Sequence, residues 1–346
     1  MTDDHIQNAL ASVPEEYYTR REDGSLIRQS SSVNAIRTGL ERLDVRSGMR
    51  VLEIGTGSGF SGALLGELVG EQGSVVSMDV VSDLVERARD RHARRGADQI
   101  RVVAGDGAKG MTEHAPYDRI IAWASSDLLH RSWADQCVTD AVLVVPVTIA
   151  PLPRSNAIVR ASRTRDGGLT ADRLWPGGYV EMHPEELTQW LVPPRGVHAR
   201  TTDGEGNPWW ISGTWVNECG VDETTALSLV KVLASESHVE DEAVLAPEES
   251  AADVHTYLYA AGFEGLSMFG LGSRGWAPGH ASRQGAAALL GDGRLITAGD
   301  PSSACRVREW AERWRQVGKP SAGSLTPVLE EVRDGWVARA RVPGRG

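Results

Sequence analysis

The sequence predicts an α/β protein with a doubly wound, mostly parallel sheet, followed by an additional C-terminal α+β region. Three observations support this prediction. Short apolar runs alternate with helical patterns between residues 51 and 147, a glycine-rich turn follows the first run, and an acidic residue ends the second. Such alternation is typical of a parallel sheet covered by helices, with ligands bound at the carboxyl ends of its strands.

Five apolar runs in the first half have the length of strands. They span residues 51–54, 75–79, 102–104, 119–123 and 141–147. Apolar periodicity predicts helices over 61–69 and 82–95, and a serine-capped amphipathic helix over 32–43. An Asp-Gly-Gly turn at 166–168 separates two further runs, which predicts a hairpin of strands 156–163 and 169–174.

The second half has a weaker pattern, and its fold cannot be derived from the sequence. Gly- and Pro-rich turns separate four stretches with helical character, at 224–234, 250–261, 283–290 and 303–316. Tryptophan is concentrated there, because nine of the eleven tryptophans follow residue 150. We therefore predict two domains, residues 1–185 and residues 186–346.

Three glycines lie directly after the first predicted strand. Gly55, Gly57 and Gly59 have the spacing Gly-x-Gly-x-Gly, which lets the backbone turn sharply and approach a ligand before a helix begins. The spacing differs from the Gly-x-Gly-x-x-Gly of dinucleotide-binding proteins, and no Gly-Lys-Ser/Thr of a P-loop follows. Glu53 would repel a phosphate here, whereas it can accept hydrogen bonds from a cationic ligand.

Two carboxylates follow the next predicted strands. Asp79 lies 20 residues beyond Gly59, where a nucleotide-binding βαβ unit has its ribose-binding acid. Asp106, in Gly-Asp-Gly, follows the third strand and can accept a hydrogen bond from an adenine amino group. A ligand with a ribose, an adenine and a cationic centre but no phosphate fits these residues. S-adenosyl-L-methionine is the cofactor we expect.

Several motifs together resemble those of the protein-L-isoaspartate O-methyltransferase family. They are Glu-Ile-Gly-Thr-Gly-Ser-Gly-Phe at 53–60, the strand at 76–79, Gly-Asp-Gly at 105–107, Ala-Pro-Tyr-Asp at 115–118 and Val-Pro-Glu-Glu-Tyr at 13–17. The resemblance covers residues 8–175. It implies a Rossmann-like class I methyltransferase fold and methyl transfer to a side-chain carboxylate of an aspartyl or isoaspartyl residue.

The resemblance also implies roles for individual residues. The expected cofactor-binding residues are Glu53, Gly55, Thr56, Gly57, Gly59, Asp79, Val80, Asp106 and Gly107. Ser31 corresponds to a serine near the substrate carboxylate, although the loose alignment leaves Ser30 and Ser32 as alternatives. No general base is needed, because a carboxylate is already ionised at neutral pH. We expect no metal.

Four segments depart from the family pattern. They are Gln-Ser-Ser-Ser-Val at 29–33, which lacks the proline of Ser-x-Pro, Ala-Ser-Ser-Asp-Leu at 124–128, Cys-Val-Thr-Asp at 137–140 and Trp-Pro-Gly-Gly-Tyr at 175–179. We expect these segments to line the substrate side. The methyl donor is then retained while the acceptor can differ.

The C-terminal extension is the other departure, because the repair enzyme of the family ends before it. Some extended relatives methylate an Asp of a ribosomally made peptide, which gives an aspartimide. We favour such peptide tailoring, with residues 186–346 in substrate recognition or dimerisation. Repair of damaged proteins, a small-molecule acceptor and a non-catalytic binding protein are the alternatives. The i,i+4 spacing of Trp310 and Trp314 predicts burial, whereas Trp209 and Trp210 fit an exposed loop about equally well.

The amino-acid composition argues against several classes of partner and location. The net charge of −11 weighs against nucleic acid held through its phosphates. No apolar run has the length of a membrane span, and the acidic N-terminus lacks the apolar segment of a signal peptide. Three distant cysteines, Cys137, Cys219 and Cys305, argue against a disulfide framework. The expected protein is cytoplasmic and acts on a peptide or protein bearing Asp or isoAsp.

Overall fold

The computed structural model describes residues 2–186, 193–213, 215–216, 223–235, 239–241 and 243–343. Cys219 lies outside these ranges. The described helices are α1 Thr2–Ser12, α2 Glu15–Thr19, α3 Val33–Leu43, α4 Phe60–Val69, α5 Ser82–Arg94, α6 Arg131–Asp135, α7 Glu223–Leu233, α8 Ala251–Ala261 and α9 Ser302–Gln316. None of the helices in these ranges is long and apolar enough to span a bilayer.

A seven-stranded sheet forms the centre of the first half. Its strands are β1 Arg50–Ile54, β2 Ser74–Asp79, β3 Ile100–Ala104, β4 Tyr117–Ala122, β6 Cys137–Thr148, β7 Asn156–Arg163 and β8 Leu169–Pro176. Their order is β3-β2-β1-β4-β6-β7-β8, and the first five are parallel. The predicted strands, the hairpin and the doubly wound sheet are confirmed. The strand order reverses between β1 and β4, which is where such sheets bind ligands.

One face of this sheet is covered by α1, α3 and α4. Ile36, Leu40 and Leu64 pack in one buried cluster with Val51 and Val75 of the strands. Ser32 accepts a hydrogen bond from the backbone N–H of Ala35 and caps α3, as the sequence predicts.

The other face packs against the C-terminal half of the chain. Leu52 and Ile120 of the sheet belong to one buried cluster with Tyr257 of α8 and Trp310 of α9. Two further strands, β16 Thr326–Val332 and β17 Gly335–Arg341, form a hairpin that pairs with β5 Leu129–His130 of the first half. The two halves therefore share one hydrophobic core.

A second seven-stranded sheet, antiparallel throughout, forms the rest of the C-terminal half. Its strands are β9 Ala199–Thr202, β10 Pro208–Gly213, β11 Val239–Asp241, β12 Leu266–Leu271, β13 Trp276–Ala281, β14 Gly285–Leu289 and β15 Leu295–Gly299, in the order β11-β15-β14-β13-β12-β10-β9. The expected α+β character is confirmed. Helices predicted at 224–234, 250–261 and 303–316 are confirmed as α7, α8 and α9.

The helix predicted at 283–290 is wrong. Its central residues form β14, and all five residues of this strand are buried. Ala287 and Leu289 belong to one buried cluster, whereas Ala286 and Ala288 belong to another. Small residues that face a packed layer on both sides suit a central strand, so tertiary packing overrides their helical preference.

The described tryptophans of the C-terminal half are mostly core residues. Burial of Trp310 and Trp314 is confirmed. Trp209 and Trp210 lie in β10 and are also buried, so the exposed-loop alternative is wrong. Trp276 is different, because 46% of it is exposed.

Candidate functional site

A cavity of about 510 Å³ opens at the carboxyl ends of the parallel strands. The glycine turn after β1, the end of β2, the turn after β3 and Trp123 after β4 converge on it. Its volume lies in the range of ligand pockets, roughly 300–1,000 Å³. We call the part around Gly55, Asp79 and Gly107 the glycine end.

The glycine turn needs residues without a side chain. Gly55, Gly57 and Gly59 have φ angles of 95°, 51° and 84°, in the left-handed region that favours glycine. A Cβ on Gly57 would lie 2.1 Å from the carbonyl oxygen of Gln29, and one on Gly107 would lie 2.4 Å from Ile54. These glycines let neighbouring segments close around the cavity. Gly55, Gly57 and Gly107 line it, whereas Gly59 begins α4 behind it.

Asp79 connects two walls of the glycine end. Its carboxylate accepts hydrogen bonds from the N–H groups of Gly57 (2.9 Å) and Val81 (3.0 Å). Burial raises the pKa of this carboxyl, and the backbone hydrogen bonds oppose the rise. Asp79, Val80 and Thr56 all line the cavity, as the predicted cofactor site requires.

Glu53 departs from its expected role as a direct partner of a cationic ligand. It is fully buried and is not among the residues that line the cavity. Its carboxylate accepts hydrogen bonds from Ser61 Oγ (2.5 Å), Ser77 Oγ (2.6 Å) and Trp123 Nε1 (2.9 Å). Burial raises the pKa of Glu53 and these hydrogen bonds oppose the rise. In this structure Glu53 holds together the three elements that surround the glycine turn, through these hydrogen bonds.

Asp106 lies beside the cavity rather than in its described lining. One carboxylate oxygen accepts a 3.0 Å hydrogen bond from the N–H of Ala108, and the other lies 3.8 Å from Lys109 Nζ. This arrangement fixes the short turn Gly107–Lys109, whose first residue faces the cavity. The predicted acceptor for an adenine amino group is therefore partly engaged within its own turn.

The serines at 30–32 have three different environments. Ser30 Oγ lies 3.0 Å from Ser58 Oγ, and Ser32 caps α3. Ser31 lines the cavity and makes no hydrogen bond with the described residues. Among the three candidates, the Ser31 hydroxyl is thus the one available to a ligand.

Two segments that depart from the family pattern are joined through Ser125. The N–H of Ser125 donates to the Val180 carbonyl (2.7 Å), and the N–H of Met182 donates to the Ser125 carbonyl (2.7 Å). The Ser125 hydroxyl accepts from Tyr179 N–H (2.8 Å) and donates to the Tyr179 carbonyl (3.0 Å). These four hydrogen bonds of Ser125 place Tyr179, Val180 and Met182 in the cavity lining beside Ala124.

We call the lining segments 28–32, 124 and 179–185, together with Arg154, the acceptor wall. The fourth departing segment, 137–140, does not belong to it. It begins β6, at the opposite edge of the sheet from the cavity, so its expected place on the substrate side is wrong.

Sequence reasoning missed several lining residues. Trp123 lines the cavity between the two ends. Its indole N–H donates a hydrogen bond to Glu53, and its ring centroid lies 5.7 Å from that of Tyr179. Burial raises the pKa of Tyr179. Trp123 is the last residue of a predicted strand, whereas Tyr179 belongs to the departing segment 175–179, which was already expected on the substrate side. Arg154, in the turn between β6 and β7, carried no signal at all.

A family model described as Protein-L-isoaspartate(D-aspartate) O-methyltransferase (PCMT) matches residues 1–186, more than half of the chain. The chain belongs to this family. Membership of the PCMT family makes it an S-adenosylmethionine-dependent methyltransferase. The match ends where the C-terminal extension was predicted to begin.

Curated relatives carry the same family name. The protein-L-isoaspartate O-methyltransferase of Ignicoccus hospitalis is 34% identical over 147 residues, which cover 42% of this chain and 68% of the relative. That of Methanoculleus marisnigri is 46% identical over 107 residues, 31% of this chain and 47% of the relative. The Methanococcoides burtonii protein is 31% identical, and 77% of it is covered along with 42% of this chain.

Two solved PCMT structures are also similar. One, a protein-L-isoaspartate O-methyltransferase, is 19% identical with a TM-score of 0.48, and the match covers 99% of this chain and 96% of that chain. The other is a beta-aspartate methyltransferase from Plasmodium falciparum in complex with S-adenosyl-L-homocysteine. It is 18% identical with a TM-score of 0.46, over 54% of this chain and 93% of that chain.

Proposed function

We propose that this protein methylates the free carboxylate of an aspartyl or isoaspartyl residue in a peptide. The observation that carries the proposal is the single cavity that joins the glycine end to the acceptor wall. Family membership supports the methyl donor at one end. The departing segments at the other end support an acceptor that differs from that of the general repair enzyme.

The residues of the glycine end fit S-adenosylmethionine. Gly55 and Gly57 keep the backbone open to a ligand. A side chain at Gly57 would collide with the carbonyl of Gln29, and one at Gly107 would collide with Ile54, so both turns would have to shift. Asp79 offers carboxylate oxygens to ribose hydroxyls, with Thr56 and Val80 beside it. Glu53, Gly59 and Asp106 hold the surrounding turns. When bound, S-adenosylmethionine supplies a sulfonium methyl group that a carboxylate oxygen can attack, with the C–S electron pair going to sulfur.

The chain's own residues then orient the acceptor and exclude water. The Ser31 hydroxyl is free of the described protein groups and can donate a hydrogen bond to an oxygen of the acceptor carboxylate. Tyr179 and Met182 of the acceptor wall, together with Trp123 beside it, give this part of the cavity an apolar surface. A desolvated carboxylate is a stronger nucleophile, and positioning supplies the remainder of the rate. The backbone nitrogen after the esterified residue can subsequently displace methanol and close a succinimide.

Tailoring of a ribosomally made peptide is our preferred physiological role. The C-terminal half shares a core with the methyltransferase half and carries an exposed Trp276 close to the acceptor wall. Its other described tryptophans are largely buried, so they contribute stability rather than a peptide-binding surface. Repair of isoaspartyl proteins is the second candidate, favoured by the family match itself.

Intact-mass measurement of two synthetic peptides tests the proposal. An isoaspartyl peptide and its aspartyl twin are each incubated with the protein and S-adenosylmethionine, and a Gly57→Ala variant serves as the control. We expect one peptide to gain the mass of a methylene, or to lose one water after ring closure. If neither peptide is methylated although the cofactor binds, general repair is excluded as the function. Methylation of one specific peptide then remains as the candidate function. Methylation of a side chain other than a carboxylate would contradict the proposal.

Deletion of residues 186–346 is a poor test of the C-terminal half. Trp336 packs in the same cluster as Trp133, and β17 pairs with β5. The deletion would expose this core, so the truncated protein would lose stability whatever the extension recognises. Point variants on the cavity side separate the two effects.

A further inference from the structure

Arg154 is a cation of the acceptor wall that has no ionic partner among the residues that the structure describes. It lines the cavity, and no described carboxylate lies within ion-pair distance of its guanidinium. Its φ angle of 63° is uncommon for a residue with a side chain. Glu181, an acidic residue whose charge acts on Arg154, is paired with Arg195 instead. A guanidinium has five N–H donors, and here only one has a described acceptor.

Two contacts fix the direction of this side chain. Nη1 donates a 3.1 Å hydrogen bond to the carbonyl of Tyr179, and the guanidinium lies 4.8 Å from the ring centroid of Trp276. Tyr179 belongs to the acceptor wall and Trp276 to the second sheet. Arg154 therefore connects the C-terminal half to the cavity, and its remaining donors are available to a planar anion.

The position in the fold separates Arg154 from the cofactor. The proposed ribose partner Asp79 ends β2 and the expected adenine partner Asp106 follows β3, on one side of the glycine turn. Arg154 follows β6, beyond β4 on the other side. Arg28 is the other guanidinium among the described lining residues, and it is exposed.

The reacting carboxylate is an unsuitable partner for Arg154. This carboxylate loses its negative charge as the ester forms, so an ion pair would be stronger in the ground state than in the transition state. Such an interaction raises the barrier. A guanidinium at this place stabilises the ground state and the transition state alike when it binds a carboxylate that stays ionised throughout the reaction. It then favours the peptides that carry such a carboxylate.

We infer that Arg154 is a specificity-determining residue that binds a second, non-reacting carboxylate of the acceptor peptide. The inference rests on the proposed function, because it requires a peptide acceptor. It makes an acidic neighbour of the methylated residue a recognition element, in a protein whose net charge of −11 otherwise repels acidic peptides. Trp276 positions the guanidinium through its ring face.

Matched peptides test this inference. Each pair contains one isoaspartyl or aspartyl residue and differs only by Glu or Gln, one or two residues before or after it. We expect the wild-type kcat/KM to favour the Glu peptide of one pair by about tenfold, as charge-assisted hydrogen bonds do. In Arg154→Gln this ratio falls to near one, and Arg154→Lys keeps part of it. Arg28→Gln, which removes the same charge from the same cavity, retains the ratio.

The ratio distinguishes recognition from a structural role. If Arg154→Gln lowers kcat/KM for both members of every pair equally, or the wild type shows no Glu preference, the inference is overturned. Weaker binding of S-adenosylhomocysteine by Arg154→Gln would assign the residue to the cofactor instead and also overturn it.

A binding measurement separates this inference from the proposed function. Fluorescence anisotropy reports the affinity of the same labelled peptides for the protein saturated with S-adenosylhomocysteine. If no peptide is methylated, but the Glu peptide binds more tightly and Arg154→Gln abolishes the difference, the inference stands and the proposed reaction fails. Equal or absent binding of both members of all pairs overturns the role of Arg154.

Discussion

The two ends of the cavity are built in different ways. At the glycine end, each lining residue lies within a few positions of a strand terminus, and its hydrogen bonds run between neighbouring strands, as from Gly57 to Asp79. The acceptor wall joins segments far apart in the chain, and Ser125 binds a segment more than 50 residues away. Under the proposed function, local backbone geometry determines where the cofactor fits, whereas long-range pairing determines which acceptor fits.

The glycine end is held by hydrogen bonds between the ends of neighbouring parallel strands. The acceptor wall depends on a few backbone hydrogen bonds to one serine and can be remodelled without altering the sheet. Variants at the two ends should therefore separate cofactor affinity from acceptor turnover.

The largest separation is expected for Gly57→Ala. Its Cβ would lie 2.1 Å from the Gln29 carbonyl oxygen at a φ of 51°, so the turn must shift. We expect S-adenosylhomocysteine affinity, measured by titration calorimetry, to fall by about 100-fold, given a strain cost of about 3 kcal/mol. Gly48→Ala has a φ of 82° but nothing within 4 Å, and it should bind normally. Equal losses in both variants would refute the close approach to Gln29.

His92→Phe tests the buried support behind the glycine end. Burial lowers the pKa of His92 to about 4 from 6.5, and its Nε2 has no partner among the described residues. The unfolded chain thus binds more protons between pH 6.5 and 4, so wild-type stability falls as pH decreases through this window.

Between pH 6.5 and pH 4, the free energy of unfolding of His92→Phe should fall by about 2–3 kcal/mol less than that of the wild type. The reason is that each unit of pKa shift is worth about 1.4 kcal/mol. Urea unfolding at pH 7 and at pH 4.5 measures the difference. Parallel pH profiles for the two proteins would show that folding does not lower the pKa of His92.

Asp79→Asn tests the hydrogen bonds within the glycine end. An amide NH₂ cannot accept from the N–H groups of both Gly57 and Val81, so the turn loses a partner. We expect cofactor affinity to fall by about 10- to 30-fold, or about 2 kcal/mol. The exposed Asp83→Asn on α5 is the matched control. Unchanged affinity of Asp79→Asn would contradict a role at the ribose.

Ser125→Ala should impair binding of the acceptor and leave binding of the cofactor unchanged, which is the opposite of the effect expected for Asp79→Asn. It removes both hydroxyl hydrogen bonds to Tyr179 and leaves the glycine end intact. The acceptor KM should rise by about tenfold, while S-adenosylhomocysteine affinity stays within about twofold. Ser228→Ala, an exposed serine of α7, serves as the control. A loss of cofactor affinity as large as the loss of turnover would break the distinction between the two ends.

Ser31→Ala is expected to have the smallest effect. Loss of one hydrogen bond to the acceptor carboxylate should reduce kcat/KM by about 3- to 10-fold without changing the melting temperature. Ser32→Ala should instead lower stability by about 1 kcal/mol, because Ser32 caps α3. If the two variants exchange these effects, Ser32 rather than Ser31 meets the acceptor.

The sequence predicted the glycine end well because its signals are local. Apolar runs, glycine spacing and the acids after strands placed Gly55, Asp79 and Gly107 at one edge of the sheet. The role of Glu53 was less accessible, since its partners Ser61, Ser77 and Trp123 come from three elements. The strand at Gly285–Leu289 was mistaken for a helix because small apolar residues take their conformation from the layers around them. Arg154 and Tyr179 meet only through tertiary pairing, which no local pattern encodes.

The base lability of the product tests the central claim most directly. The protein is incubated with an isoaspartyl peptide, its aspartyl twin and methyl-labelled S-adenosylmethionine, and volatile label is measured after brief alkaline treatment. A carboxyl methyl ester releases labelled methanol, and we expect this from one of the peptides with the wild type but not with Gly57→Ala. Label that remains on the peptide in base would show transfer to nitrogen, sulfur or carbon and would contradict carboxyl methylation.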